Sequence, residues 1–164
     1  MPRNSAVDPL RSLPGYALAR ASSIAIAQLK QMMTAIALRP VDASVLLVIQ
    51  ANPGITQSSI GRMLDIARPN MVTLTAALLK RGLVARSDLD GRSHGIVLTP
   101  VGQSLAQRAF RIMKEHEVLL MGQVPAAHRR AFLSSLQALM PQAVAARPAR
   151  PGRSPKRRHP VDKP

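Results

Sequence analysis

The strongest constraint on the fold is a run of punctuation between Asn52 and Thr99. Asn52-Pro53-Gly54 breaks the chain, Thr56 offers a helix cap, Pro69 sits where a first turn tolerates proline, and Gly82 closes what Pro69 opens. Proline in a first turn loses no hydrogen bond, and glycine just past a helix end takes a left-handed turn cheaply. These breakers leave room for a short helix from Thr56, a turn at Asp65-Ile66-Ala67 and a second helix over 68–81. Two strand-like pieces follow, Leu83–Arg86 and Ile96–Leu98, around the polar, glycine-bearing stretch 87–95. The order predicts a winged helix-turn-helix over about 42–99, an arrangement whose second helix can enter a DNA groove.

In the second helix, Met71, Leu74, Thr75 and Leu78 follow the i, i+3, i+4, i+7 rule and are predicted to face the core. The opposite face holds Pro69, Asn70, Thr73 and Ala77, with Val72 and Ala76 alongside and Arg68 at its start. A small, neutral face fits a major groove about 12 Å wide. Asn70 suits an adenine edge, Arg68 a guanine or phosphate, and Val72 or Thr73 a thymine methyl. In the shorter helix, Ile60, Met63 and Leu64 are the expected apolar face. Thr56, Gln57 and Ser58 in its first turn, with Arg62 nearby, suit a phosphate. Asp90 and Arg92 lie two apart and so share one side of an extended wing. There a carboxylate can hold a guanidinium outstretched toward a narrow minor groove, with His94 facing phosphate. Each pattern also occurs on ordinary solvent faces; gathered in one stretch, they point to DNA.

The flanks are long and helical. From Tyr16 to about Leu38, Leu18, Ala25, Leu29, Met32 and Ile36 recur at helical spacing, widened by Ile26 and Met33, and the helix should stop before Pro40. Asp42 reads as the cap of a helix whose Val45–Ile49 run is apolar nearly all round, hence central and buried. Thr99-Pro100 opens a helix to about Gly122, with Leu105, Ala109, Ile112, His116 and Leu119 in a heptad-like seam. Pro125 starts a last helix with Phe132, Leu133, Leu136, Leu139 and Met140 on one side. Three such stripes exceed what a winged helix of this size must bury, which predicts a homodimer. The expected fold is mainly α with a small β-wing, flanked by long dimerisation helices. A single domain is expected over 15–146, after a partly ordered segment 1–14 and before a disordered tail 147–164.

Composition narrows the function. Aromatics are only 2% of a chain that is 46% hydrophobic, so the core must be aliphatic and methionine-rich, which suits helices. Twenty-three Lys/Arg against 8 Asp/Glu leave +15, an excess that favours a polyanionic partner. Arg147–Pro164 alone holds seven Lys/Arg, one Asp and five prolines. It has too little to bury to fold, and reads as a basic arm adding non-specific phosphate attraction. The absence of cysteine excludes a disulfide scaffold, a zinc-thiolate finger and thiol-based oxidant sensing. No apolar run reaches the roughly 18 residues of a membrane span, and the first residues lack a signal-peptide core, so a cytoplasmic, nucleoid-associated protein is expected. No nucleophile pairs with a base and no phosphate loop follows a strand, so neither catalytic residues nor a cofactor are expected. Glu115-His116-Glu117 does not converge on a metal, because helix neighbours diverge. His116 reads instead as a core histidine, and His128 beside Arg129-Arg130 as part of a solvated face.

These pieces, in this order and spacing, resemble the MarR family of bacterial winged-helix transcription regulators. The matching segments are the helix-turn-helix, LLKRGLVARSD (Leu78–Asp88), DGR (Asp90–Arg92), LTPVG (Leu98–Gly102) and the opening GYALARA (Gly15–Ala21). Together the likeness spans about 15–140. It implies a homodimer held by the first and last two helices, recognition helices in successive major grooves, and wings reaching flanking minor grooves. It also implies release by a small phenolic or aromatic-acid ligand bound between the dimerisation helices and the winged core, where Tyr16 and Arg20 can meet an acidic phenol. The family's wing commonly reads Asp-Arg-Arg. Here Gly91 replaces the middle Arg, while Asp90 and Arg92 fall on the aspartate clamp and the minor-groove arginine. Thr73 stands where the family often has Arg, which implies a different base preference. The resulting expectation is a homodimeric double-stranded DNA-binding regulator, a repressor acting on a palindromic operator. The alternatives are an architectural DNA coater that uses the basic tail, or an interaction module whose neutral helix no longer reads DNA.

Overall fold

The computed structural model describes residues 8–10, 12–88 and 94–140. Helix α1 spans Pro14–Met33 and stops earlier than its periodicity predicts. Thr34–Ile36 tighten into a 3-10 turn, Thr34 Oγ1 donates to the Gln31 carbonyl at 2.6 Å, and Ala37 takes a left-handed conformation with φ 48°. The reversal folds Ile36 and Leu38 into the core instead of carrying the helix up to Pro40. Helix α2, Pro40–Ala51, begins before Asp42, which is therefore not its cap but lies inside its first turn. From there its carboxylate accepts the Arg39 backbone N–H at 3.4 Å and the Arg39 guanidinium at 2.8 and 2.7 Å. Reaching back to a free first-turn N–H does a cap's work from within. Val45, Leu46 and Ile49 are buried, as the all-round apolar run requires.

Helix α3, Gln57–Met63, is capped by Thr56, whose Oγ1 accepts the Ser59 N–H at 3.3 Å. Asp65 turns the chain with φ 52°, and α4 runs from Arg68 to Lys80. Met71, Leu74, Thr75 and Leu78 are all buried, as their spacing predicts. Gly82 (φ 65°) then donates to the Leu79 carbonyl and Leu83 to the Leu78 carbonyl, a paired closure that needs a residue at ease with positive φ. Met63 departs from expectation at 60% exposed. The buried stripe of α3 centres on Ile60 and Gly61, and at 100° per residue Met63 points away from it.

The wing is a three-stranded antiparallel sheet of β1 (Ile55–Thr56), β2 (Val84–Asp88) and β3 (His94–Leu98), in the order β1-β3-β2. The ladder extends beyond the predicted strands to the pair Asp88 and His94. β1 pairs Ile55 with Ile96 and Thr56 with Gly95. Two residues carry no alternation, so this strand has no sequence signature of its own.

Helix α5, Pro100–Gly122, is capped by Thr99, which accepts the Gly102 N–H at 3.1 Å. It packs on α1 and α2. Its buried residues are mainly small, namely Gly102, Ala106 and Ala109, together with His116. Leu105 and Ile112 are half-buried beside them, while Leu119 is exposed and does not join the stripe. The histidine is a core residue as expected, although its Nε2 has no partner among the described residues. No single described helix is long and apolar enough to cross a membrane.

Contacts divide the chain into two compact units after Val124. In the second, Pro125 does not start a helix directly, because its extended ψ of 136° leads first into a 3-10 turn, Ala126–His128. Helix α6, Arg129–Leu139, follows, with Phe132, Leu133 and Leu139 exposed along its apolar side.

Candidate nucleic-acid interface

The first turn of α3 is a knot of hydroxyls. Thr56 Oγ1 donates to Ser59 Oγ at 3.0 Å and lies 3.1 Å from Ser58 Oγ. Arg62 donates one guanidinium N–H to Ser59 Oγ at 3.0 Å. That leaves most of its five donors unspent while the side chain is held along the helix.

Helix α4 presents its outward face as a ridge between two hollows. One hollow, of about 920 Å³, joins Thr56, Gln57, Ser58 and Arg62 to Arg68, Met71 and Val72. Asn70 and Thr73 line the other, of about 1160 Å³, with Ala77, Arg81, Lys30, Thr34, Arg39 and Asp42. The structure therefore brings the helix-turn-helix candidates onto one surface but splits them between two flanks, with Pro69 exposed on the first turn. The backbone of His94 pairs with Asp88 at the far end of the wing ladder. The expectations for Asp90, Arg92 and the His94 side chain fall outside the described residues, as do those for the 147–164 tail.

The electrostatics of this surface depend on Asp42, which is 3% exposed. Arg39 grips it with a two-pronged fork, and Arg81 approaches to 4.0 Å while donating to the Ala37 carbonyl at 2.9 Å. The hydrogen bond to Asp42, and then its charge, push the Arg39 pKa above the ordinary arginine value. The carboxylate is thus spent within the protein, and the Arg39 and Arg81 that hold it line the hollow beside α4. Sequence reasoning missed Lys30, Arg39 and Arg81, because their convergence requires the turn at Ala37 to fold the α1–α2 corner against α4.

Tyr16 and Arg20 do meet: the guanidinium carbon lies 5.9 Å from the ring centroid, and the phenol donates to Asp8 at 3.4 Å. Neither residue lines the hollow beside α4. Among the described residues, no three His, Cys, Asp or Glu side chains converge as a metal site would require.

Comparison with known proteins agrees with this geometry. The model of the MarR family matches residues 38–93, from the start of α2 through the helix-turn-helix into the wing. The transcriptional repressor CouR, solved on a 23-mer DNA duplex, is 35% identical with a TM-score of 0.75, covering 82% of this chain and 98% of that one. The same repressor bound to p-coumaroyl-CoA is 34% identical with a TM-score of 0.74, covering 82% and 96%. The curated HTH-type transcriptional repressor Rv2887 of Mycobacterium tuberculosis is 25% identical over 127 residues, covering 76% of this chain and 91% of its own length. With the family model on the helix-turn-helix and a relative above 30% identity matched almost end to end, this chain belongs to the MarR family of winged-helix transcription regulators.

Proposed function

We propose that the chain is a homodimeric, sequence-specific double-stranded DNA-binding repressor. The observation that carries this reading is the exposed face of α4, small and free of acids, bordered by Arg62 and Arg68 on a winged helix-turn-helix. The DNA-bound relative supports it. Thr56, Gln57, Ser58, Arg62 and Arg68 serve as phosphate contacts, Pro69, Asn70 and Thr73 enter the major groove, and Asp90, Arg92 and His94 carry the wing. The exposed Leu18, Ile24 and Ile26 of α1 and Val118 and Leu119 of α5 supply apolar surface for a second copy.

The regulated step is release of DNA by a small aromatic acid or its thioester, supported by the relative that holds p-coumaroyl-CoA. The hollow beside α4 offers it Leu38, Val41 and Ile66 under Lys30 and Arg39. Tyr16 and Arg20 are the alternative contact, and Arg20→Ala separates the two. Relatives of this kind are regulators rather than enzymes.

A footprinting assay on the DNA flanking the chain's own gene tests the reading. The expected result is a bounded, palindromic footprint that survives unrelated competitor, with a specific-to-nonspecific ratio of at least about 10³. It should be lifted by p-coumaroyl-CoA. A continuous smear that any duplex competes away would overturn it.

A further inference from the structure

The outward face of α4 has few hydrogen-bonding groups. Between Arg68 and Lys80 its exposed side chains are Pro69, Asn70, Val72, Thr73, Ala76 and Ala77, and Val72 is 52% exposed. One of the two with hydrogen-bonding capacity is already engaged, because Thr73 Oγ1 donates to the Pro69 carbonyl at 3.2 Å. With its proton turned back to the helix, Thr73 offers a groove its methyl group and an acceptor lone pair. The Asn70 amide remains, with both donors and acceptor available.

Major-groove chemistry gives such a face a narrow vocabulary. Guanine is read best by Arg or Lys, and cytosine by an acidic acceptor. Here one arginine stands at the helix start, and neither lysine nor acid follows until Lys80. Adenine pairs with an asparagine amide through N6 and N7, and thymine alone among the standard bases carries a methyl into the groove. We propose that α4 selects its half-site chiefly through thymine methyls, packed on Val72, Thr73 and Ala76, with Asn70 fixing one adenine. The operator core is then a short A·T tract rather than a guanine-marked one. This rests on the DNA-binding reading above and goes further by naming the atoms read.

The test starts from duplexes that the full-length protein selects from a random-sequence pool. Failure to enrich any sequence would overturn the regulator reading and this inference with it. With an enriched site in hand, its thymines are replaced one at a time by deoxyuridine, which removes only the C5 methyl and leaves base pairing intact. Each contacted methyl should be worth about fourfold in affinity, the scale of one buried methylene. Enrichment of G·C half-sites, or indifference to uracil throughout the half-site, would overturn this inference alone. Two variants give an independent readout. Thr73→Val keeps the methyl and should bind within about twofold of the parent. Thr73→Ser keeps the hydroxyl, and should lose about fourfold and become insensitive to uracil at one position, as expected of a coupled pair. The reverse order, with Ser silent and Val impaired, would overturn it as well.

Discussion

Asp42 shows how a single charge can serve the fold while being withheld from the interface. Buried beneath Arg39 and beside Arg81, it joins the start of α2 to the end of α4. Asp42→Asn keeps the shape and removes the charge. Arg39 is 63% exposed on its side chain, so water makes good part of the loss. The expected cost is about 1–2 kcal/mol, below the about 3–5 of a fully buried pair, measured by urea denaturation. The pH dependence follows from the raised Arg39 pKa. A cation's raised pKa contributes fully below the unfolded value and is lost only as pH climbs through the folded one. Arg39 therefore adds no slope to stability between about pH 6 and 9, which denaturation midpoints across that range will check. On the wing reading proposed above, Arg92→Ala should weaken operator binding by about tenfold or more at fixed salt. Unchanged affinity by mobility shift would return the wing to a passive role.

Among the elements, those closed by chemistry were legible and those closed by proximity were not. Caps at Thr56 and Thr99, proline at Pro69 and the left-handed Gly82 place α3, α4 and α5 within a residue or two of their sequence-based bounds. β1 escaped because it exists only as a partner for β3. On α5 the heptad-like spacing finds the buried Ala109 and His116 but not Gly102 and Ala106, because periodicity weighs bulk and the tight contact is made by small residues. A Cβ on Gly102 would stand 1.9 Å from the Leu83 carbonyl oxygen, and no backbone atom can yield that much. Gly102→Ala should therefore cost about 3 kcal/mol, at the upper end of overpacking, and lower the thermal midpoint by roughly 6–12 °C for a chain of this size. The hollow beside α4 was illegible for a related reason. Lys30, Arg39 and Arg81 are far apart in the chain and meet only through the turn at Ala37.

At the scale of the whole molecule, charge and shape make separable contributions. The tail holds seven of the 23 cations. Removing residues 147–164 should flatten the salt dependence of DNA binding by up to about six units of log–log slope, since each neutralised phosphate contributes about 0.9. A repressor keeps its footprint through that deletion, whereas an architectural coater loses most of its binding. Fluorescence titrations at several salt concentrations will tell them apart.

The corner between α4 and α5 has one more consequence. The Thr99 N–H donates to the Leu83 carbonyl, its hydroxyl donates to the Gly82 carbonyl at 2.7 Å, and bare Gly102 sits against the same loop. Two levers therefore share one stiff fulcrum. The 23 residues of α5 make an arm of about 34 Å, and the 13 of α4 one of about 20 Å. Tilting the pair by about 5° moves the far end of α5 by about 3 Å and the leading turn of α4 by about 1.7 Å, half of the roughly 3.4 Å step from one base pair to the next. A tilt of α5 about this corner is thus felt at the leading turn of α4, the one helix acting as a pointer for the other.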